Sequence, residues 1–173
     1  MANILFVNEY GDGSNHVITL SYAADLLKVI GHTCHFSIPV LDYNASRLIE
    51  KGYNVFQYPK LTPDFAFSGR TANPVSFSDI IGERGFCNEL RMKVITKIWE
   101  NILRIRKIDL IFCNFAPTII QVARKRIPVI NLGTFWDTPS ALLKETPKFR
   151  RGERKIPDHY ILEILRKVYG QSR

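Results

Sequence analysis

Apolar residues fall into short dense runs separated by stretches of helical spacing, and this alternation is the first sign of the chain's architecture. Asn3-Ile4-Leu5-Phe6-Val7-Asn8 is apolar through its middle and closes on polar and glycine residues, the pattern of a strand buried on both faces of a parallel sheet. Behind the loop from Glu9 to Asn15, apolar residues recur at Val17, Leu20, Ala24, Leu27 and Val29-Ile30 until Gly31 stops them, which predicts a helix. The run 33–38 predicts a second strand, 41–51 a shorter helix, and 53–56, behind Gly52, a third strand. From Pro59 to about Gly85 the periodicity gives way to prolines, glycines, serines and phenylalanines, read as a long excursion over the sheet edge.

Periodicity returns between Phe86 and Lys107. There Leu90, Val94, Ile98, Ile102 and Ile105 trace the expected core face of a long helix, with Arg91, Lys93, Lys97, Arg104 and Arg106 on the opposite face. A strand over 109–113, a short helix from Pro117 to about Arg126 and a strand over 128–132 ended by Gly133 complete the series. The fold class is therefore α/β: a Rossmann-like, open, mostly parallel sheet of about five strands with helices on both faces. It is expected to occupy residues 1–143. Residues 144–173 read as a basic linker and a terminal amphipathic helix carried by Ile161-Leu162, Ile164-Leu165 and Val168.

At 173 residues the chain suits one domain and is short for two full α/β domains. The hydrophobic share of 46% and charged share of 23% fit a folded globular protein and exclude disorder, and no apolar run is long enough to span a bilayer. The N-terminus carries no basic leader and no cleavage-site pattern, so a cytoplasmic location is expected. Cys34, Cys87 and Cys113 are widely spaced and lack a paired metal or redox arrangement, and read as reduced, mostly buried thiols. A net charge of +8 favours anionic partners, among them nucleic acid, anionic lipid headgroups and phosphorylated substrates. No nucleic-acid-binding motif accompanies the charge, so nucleic acid is set aside. The basic helix face and the 144–155 cluster read either as a solvated face or as a peripheral contact with an anionic membrane.

Three segments carry a resemblance. Ile4-Leu5-Phe6-Val7, its glycine-bearing turn and Ser14-Asn15-His16-Val17 resemble the first strand, glycine loop and "GHV"-like helix start of the N-terminal domain of GT-B glycosyltransferases, in the bacterial branch related to macrolide and sterol glycosyltransferases. Asp109 to Thr118 resembles that family's "PDLVVAD" strand, and Arg126 to Gly133 its "GIPVV" strand. The resemblance implies the acceptor-binding half of a nucleotide-sugar-dependent glycosyltransferase. The donor-binding half would come from a following domain or a second subunit, as in the two-chain N-acetylglucosaminyltransferase of the dolichol pathway. The nucleotide sugar would reach the site through that partner, and the acceptor would be a small molecule or a lipid. No cofactor or metal is implied.

The resemblance makes His16 the general base that takes a proton from the acceptor hydroxyl. On the residues alone, His16 could equally decorate a helix start. The family's partner carboxylate falls at Asn114, which holds one imidazole nitrogen but carries no charge to offset an imidazolium. Glu9 is a candidate substitute carboxylate. Gly11 and Gly13 allow a tight turn at a helix N-terminus whose free amides suit an acceptor oxygen or phosphate. Glu9, Tyr10, Phe135 and Trp136 complete the expected acceptor-binding set. Phe65, Phe67, Phe77 and Phe86, placed on loops, either wall an acceptor pocket or pack beneath the long loop, with packing favoured. The run Gly11-Asp12-Gly13-Ser14-Asn15-His16 does not fit a nicotinamide fingerprint, because His16 stands where the third glycine belongs and no acid ends the second strand. The remaining alternative is a non-catalytic α/β binding or interaction module, to which Asn114 points.

Overall fold

A computed structural model describes residues 1–10, 14–59, 74–86, 88–124, 126–133, 144–154, 156, 159, 162 and 163. Five parallel strands form one sheet: β1 Asn3–Asn8, β2 Thr33–Ile38, β3 Asn54–Gln57, β4 Leu110–Asn114 and β5 Val129–Asn131, in the spatial order β3-β2-β1-β4-β5. The helices that connect them are α1 Ser14–Val29, α2 Tyr43–Glu50, α3 Phe77–Ile81, α4 Glu89–Ile105 and α5 Pro117–Ala123. The predicted α/β architecture is therefore present. The order places β1 at the centre and reverses direction there, because β2 leaves on one side and β4 arrives on the other. Right-handed crossovers then put α1 and α2 on one face and α5 on the other.

Strand alternation divides the core. Ile4, Phe6, Cys34, Phe36 and Ile38 meet Val17, Leu20 and Ala24 of α1 and Ala45 and Leu48 of α2. In the parallel register Phe6 lies beside both Phe36 and Phe112, and the three rings stack at 5.0 and 5.1 Å. Burying ring surface of this kind contributes roughly 2 kcal/mol per side chain. The ladder pins the register, since a one-residue slip would turn every one of these side chains to the other face.

The described residues cluster into two compact units. Met1–Lys60 with Lys97–Gly133 contains the whole sheet, and Leu61–Thr96 with Thr134–Arg173 forms the second. In the second unit the buried Asp79 carboxylate accepts hydrogen bonds from the backbone N–H groups of Val75, Ser76 and Ile156 at 2.9–3.0 Å. Val75–Asp79 and the segment around residues 146–156 are thereby tied together, reinforced by Phe77 N–H to Pro147 C=O at 3.0 Å and a Ser76–Lys148 bridge. The basic stretch after Lys144 thus has fixed backbone partners. The predicted terminal helix lies almost wholly outside the described residues.

Two expectations are corrected. The segment expected to be irregular up to Gly85 contains α3, which Ser76 and Asp79 start with a reciprocal capping box, followed by a π-helical turn at Gly82–Phe86. Phe77 and Phe86, expected on a loop, belong to these turns and are buried. On α4 the expected core face is the wrong one. Ile95, Trp99 and Leu103 are buried, whereas Leu90, Val94, Ile98 and Ile105 are exposed. The helix carries two apolar stripes, and the one that includes Trp99, with the largest surface to bury and an indole N–H to satisfy, is the one that packs.

Candidate functional site

The candidate site is built where β1 and β4 end side by side. Asn8 and Asn114 are in register as the last residues of those strands. The buried Asn8 side-chain amide donates to the backbone oxygens of Asn114 and Tyr10 at 3.0 and 2.9 Å, so it fixes both strand ends. One residue on, Phe115 adopts φ 49°, a left-handed conformation that costs a non-glycine residue roughly 1 kcal/mol. Its carbonyl accepts from Glu9 and Tyr10 N–H at 3.4 and 3.2 Å. This turn directs the chain from β4 into α5.

His16 enters from the first turn of α1. Its Nδ1 lies 2.6 Å from Asn114 Oδ1, and the half-buried ring is tilted against Phe115 with centroids 6.3 Å apart. An amide oxygen can only accept, so Nδ1 is the donor in this contact, and in the neutral form of the ring Nε2 keeps its lone pair. That tautomer is the one a general base needs. The sequence pairing of His16 with Asn114, ninety-eight positions apart, is thus realised in space.

Glu9 is not the partner of His16. Its carboxylate is buried and accepts from Thr118 and Ile119 N–H at 2.9 and 2.7 Å, with the Thr118 hydroxyl as a further donor. Thr118 in turn accepts from the buried Trp99 indole N–H at 3.1 Å, so one hydrogen-bonded chain runs from α4 through α5 to the end of β1. Burial pushes the Glu9 carboxyl up to about 7, against the lowering effect of those donors. Burial also raises the neighbouring Cys113 thiol, and the Glu9 charge raises it further.

Among the other expected site residues, Tyr10 is buried and meets Tyr58 and Phe115 edge-on at 6.4 and 5.5 Å. Gly11, Gly13, Phe135 and Trp136 lie outside the described residues, as do Phe65, Phe67 and Cys87. Cys34 and Cys113 are free and buried. Among the described residues no group of three acidic, histidine or cysteine side chains is arranged to hold a metal, and no helix is long and apolar enough to cross a membrane.

No protein-family model matches the chain, and no curated protein matches it. Among solved structures it aligns with the crystal structure of CalG4, the calicheamicin glycosyltransferase, at 18% identity and a TM-score of 0.43. The alignment covers 76% of this chain and 32% of the other, so the chain spans about a third of that protein's length.

The strand edge offers an imidazole, an amide oxygen that accepts from one of its ring nitrogens, and a turn that holds both. Such a set can take a proton from a hydroxyl, but it offers the resulting imidazolium no directly bonded carboxylate. Thr118, Trp99 and Phe115 went unnoticed in the sequence. Pro117 at the start of α5 marks the helix N-terminus that Glu9 caps, but nothing local marks Glu9 as the residue that reaches it.

Proposed function

We propose that this chain is the acceptor-binding half of a nucleotide-sugar-dependent glycosyltransferase, with His16 as general base and Asn114 as the residue that positions it. The observation that carries this reading is the 2.6 Å contact between His16 Nδ1 and Asn114 Oδ1 at the C-terminal edge of the parallel sheet, beside the strand where the order reverses. Open α/β sheets bind ligands at that edge and that switch point. In the reaction, the acceptor oxygen forms a bond to the anomeric carbon of the donor sugar as the bond from that carbon to the nucleotide diphosphate breaks. The acceptor proton passes to His16 Nε2, and the nucleotide diphosphate leaves with the bonding electrons. A base so placed contributes roughly 10² to 10⁴ in rate.

The donor sugar is held by a further domain or a separate polypeptide, and the acceptor is a small molecule or a lipid. The test is sugar transfer from UDP- and TDP-sugars to a panel of hydroxyl acceptors, with a donor-binding domain supplied. Transfer that needs both components and is lost in His16→Ala supports the reading. Tight nucleotide-sugar binding by this chain alone, or transfer unaffected by His16→Ala, overturns it. If neither binding nor transfer occurs in any format, a non-catalytic module is left, the reading that Asn114 in place of a carboxylate favours.

A further inference from the structure

Three of the helices that feed the sheet end in the same way. In α1, Gly31 N–H bonds Lys28 C=O and His32 N–H bonds Leu27 C=O; in α2, Gly52 bonds Ile49 and Tyr53 bonds Leu48. In α4, Lys107 bonds Arg104 at 3.3 Å and Ile108 bonds Leu103 at 3.1 Å. Each is a Schellman closure, which requires a left-handed residue just past the helix. The first two place glycine there, at φ 90° and 76°, whereas α4 places Lys107 there at φ 50°. A lysine at this position is strained where glycine is not.

Lys107 is one of the residues that line a hollow of about 620 Å³ between α4 and α5, within the sheet-containing unit and at the N-terminal strand edge. The end of β4 at Asn114 and the start of α1 at His16 lie at the other edge. Leu103, Ile108, Val122 and Ile127 give the hollow its apolar lining, and Lys97, Arg104, Lys107 and Arg126 supply four cations against the single carboxylate of Glu100. That carboxylate orients two of them, Arg126 at 2.8 Å and Lys97 at 3.5 Å. Arg104 is held at 3.3 Å by Asn101. Tethered cations around a concave apolar base suit a multiply charged anion, because guanidinium and ammonium donors form their strongest hydrogen bonds to phosphate oxygens.

We propose that this hollow binds a phosphomonoester or diphosphate group, with Lys107 kept in a strained backbone position to deliver its ammonium group there. The inference stands on these residues and is independent of the glycosyltransferase reading.

The purified full chain is titrated with inorganic pyrophosphate, followed by amide chemical shifts, beside Lys107→Gly, Arg104→Gln and the control Arg150→Gln/Arg151→Gln, which removes two charges outside the hollow. Saturable binding with shifts at the lining residues is expected in the wild type and in the control. Lys107→Gly is expected to bind about tenfold more weakly while its Tm rises by about 3 °C as the strain is relieved. Those opposite signs separate a lost ligand contact from a damaged fold, and Arg104→Gln weakens binding independently. A parallel arm compares vesicles of phosphatidic acid and of phosphatidylcholine. Loss of phosphatidic acid binding in Lys107→Gly assigns a lipid headgroup, and a response to pyrophosphate alone assigns a free phosphate compound. The proposal is overturned by absence of saturable binding in both arms, by unchanged affinity in Lys107→Gly, or by an equal loss in the Arg150/Arg151 control.

Discussion

Raising the pH from 4 to 8 should weaken the folded chain through one residue, Glu9. Its carboxyl titrates at about 7 in the fold against 4.5 for a solvated glutamate, because burial disfavours the charged form more than the donors of Thr118 and Ile119 favour it. A folded-state pKa above the unfolded value means that the fold binds the proton more tightly. The associated stability is complete below pH 4.5 and is lost as pH rises through 7. A gap of 2.5 units, from 7 minus 4.5, corresponds to about 3 kcal/mol at 1.36 kcal/mol per unit. Glu9→Gln removes the titration but keeps the shape. Its amide oxygen can accept from one of the two backbone N–H groups, while its NH₂ opposes the other at a cost of roughly 1–3 kcal/mol. Urea unfolding of both proteins between pH 4 and 8 tests this. The wild type should be the more stable at low pH, and its advantage should shrink or reverse by pH 8. A difference between the two proteins that stays constant with pH would mean that the carboxyl is not desolvated, and the argument would fail.

The remaining predictions concern other parts of the same frame. Trp99→Phe leaves the Thr118 hydroxyl without its indole donor and opens space in the core; it should lower the free energy of unfolding by about 2 kcal/mol, measured by urea denaturation. Asp79→Asn replaces an acceptor of three backbone N–H groups by an amide that must oppose at least one of them; hydrogen exchange at Val75, Ser76 and Ile156 should accelerate as local stability falls by about 3 kcal/mol. Asn114→Asp gives the His16 imidazolium a charged partner and should raise sugar transfer by about tenfold or more when a donor half is supplied; an unchanged rate would remove His16 from the base role.

The strands were readable because a parallel sheet covered on both faces needs uninterrupted apolar runs, and Ile4 to Val7 and Leu110 to Cys113 are such runs. Strand ends shifted by a residue or so where the flanks are polar, as at Asn54–Gln57, since propensity does not fix where pairing stops. Helix α3 had a visible start signal, Ser76 followed three residues later by Asp79, which the surrounding prolines and glycines obscured. The orientation of α4 was not readable from spacing alone, because both of its stripes are apolar and only tertiary packing selects between them. The His16–Asn114 pair was legible only through the family resemblance, which names both positions; the adjacency of the first and fourth strand ends that brings them together is a feature of the fold. The burial of Glu9 was not legible, because an acid just past a strand looks the same whether it faces water or caps a neighbouring helix.

The placement of charge at this strand edge bears on Asn114. Glu9 and Phe115 are joined backbone to backbone, so the side chains at 9 and 114 leave adjoining strand ends, and the edge is desolvated enough to hold a carboxyl near pH 7. A second carboxylate at 114 would repel the first, and one of the two would take up a proton. An asparagine at 114 avoids that repulsion and still fixes the imidazole tautomer, but it gives up the charge that would stabilise an imidazolium. The glutamate is committed to α5, where it satisfies two backbone donors that would otherwise be buried without partners. Asn114→Asp should therefore do two opposite things in one protein: favour the protonated imidazole, and push Glu9 further up so that the pH-dependent loss of stability moves to higher pH. If the first occurs without the second, the two side chains do not share a field, and the strand edge holds two independent sites.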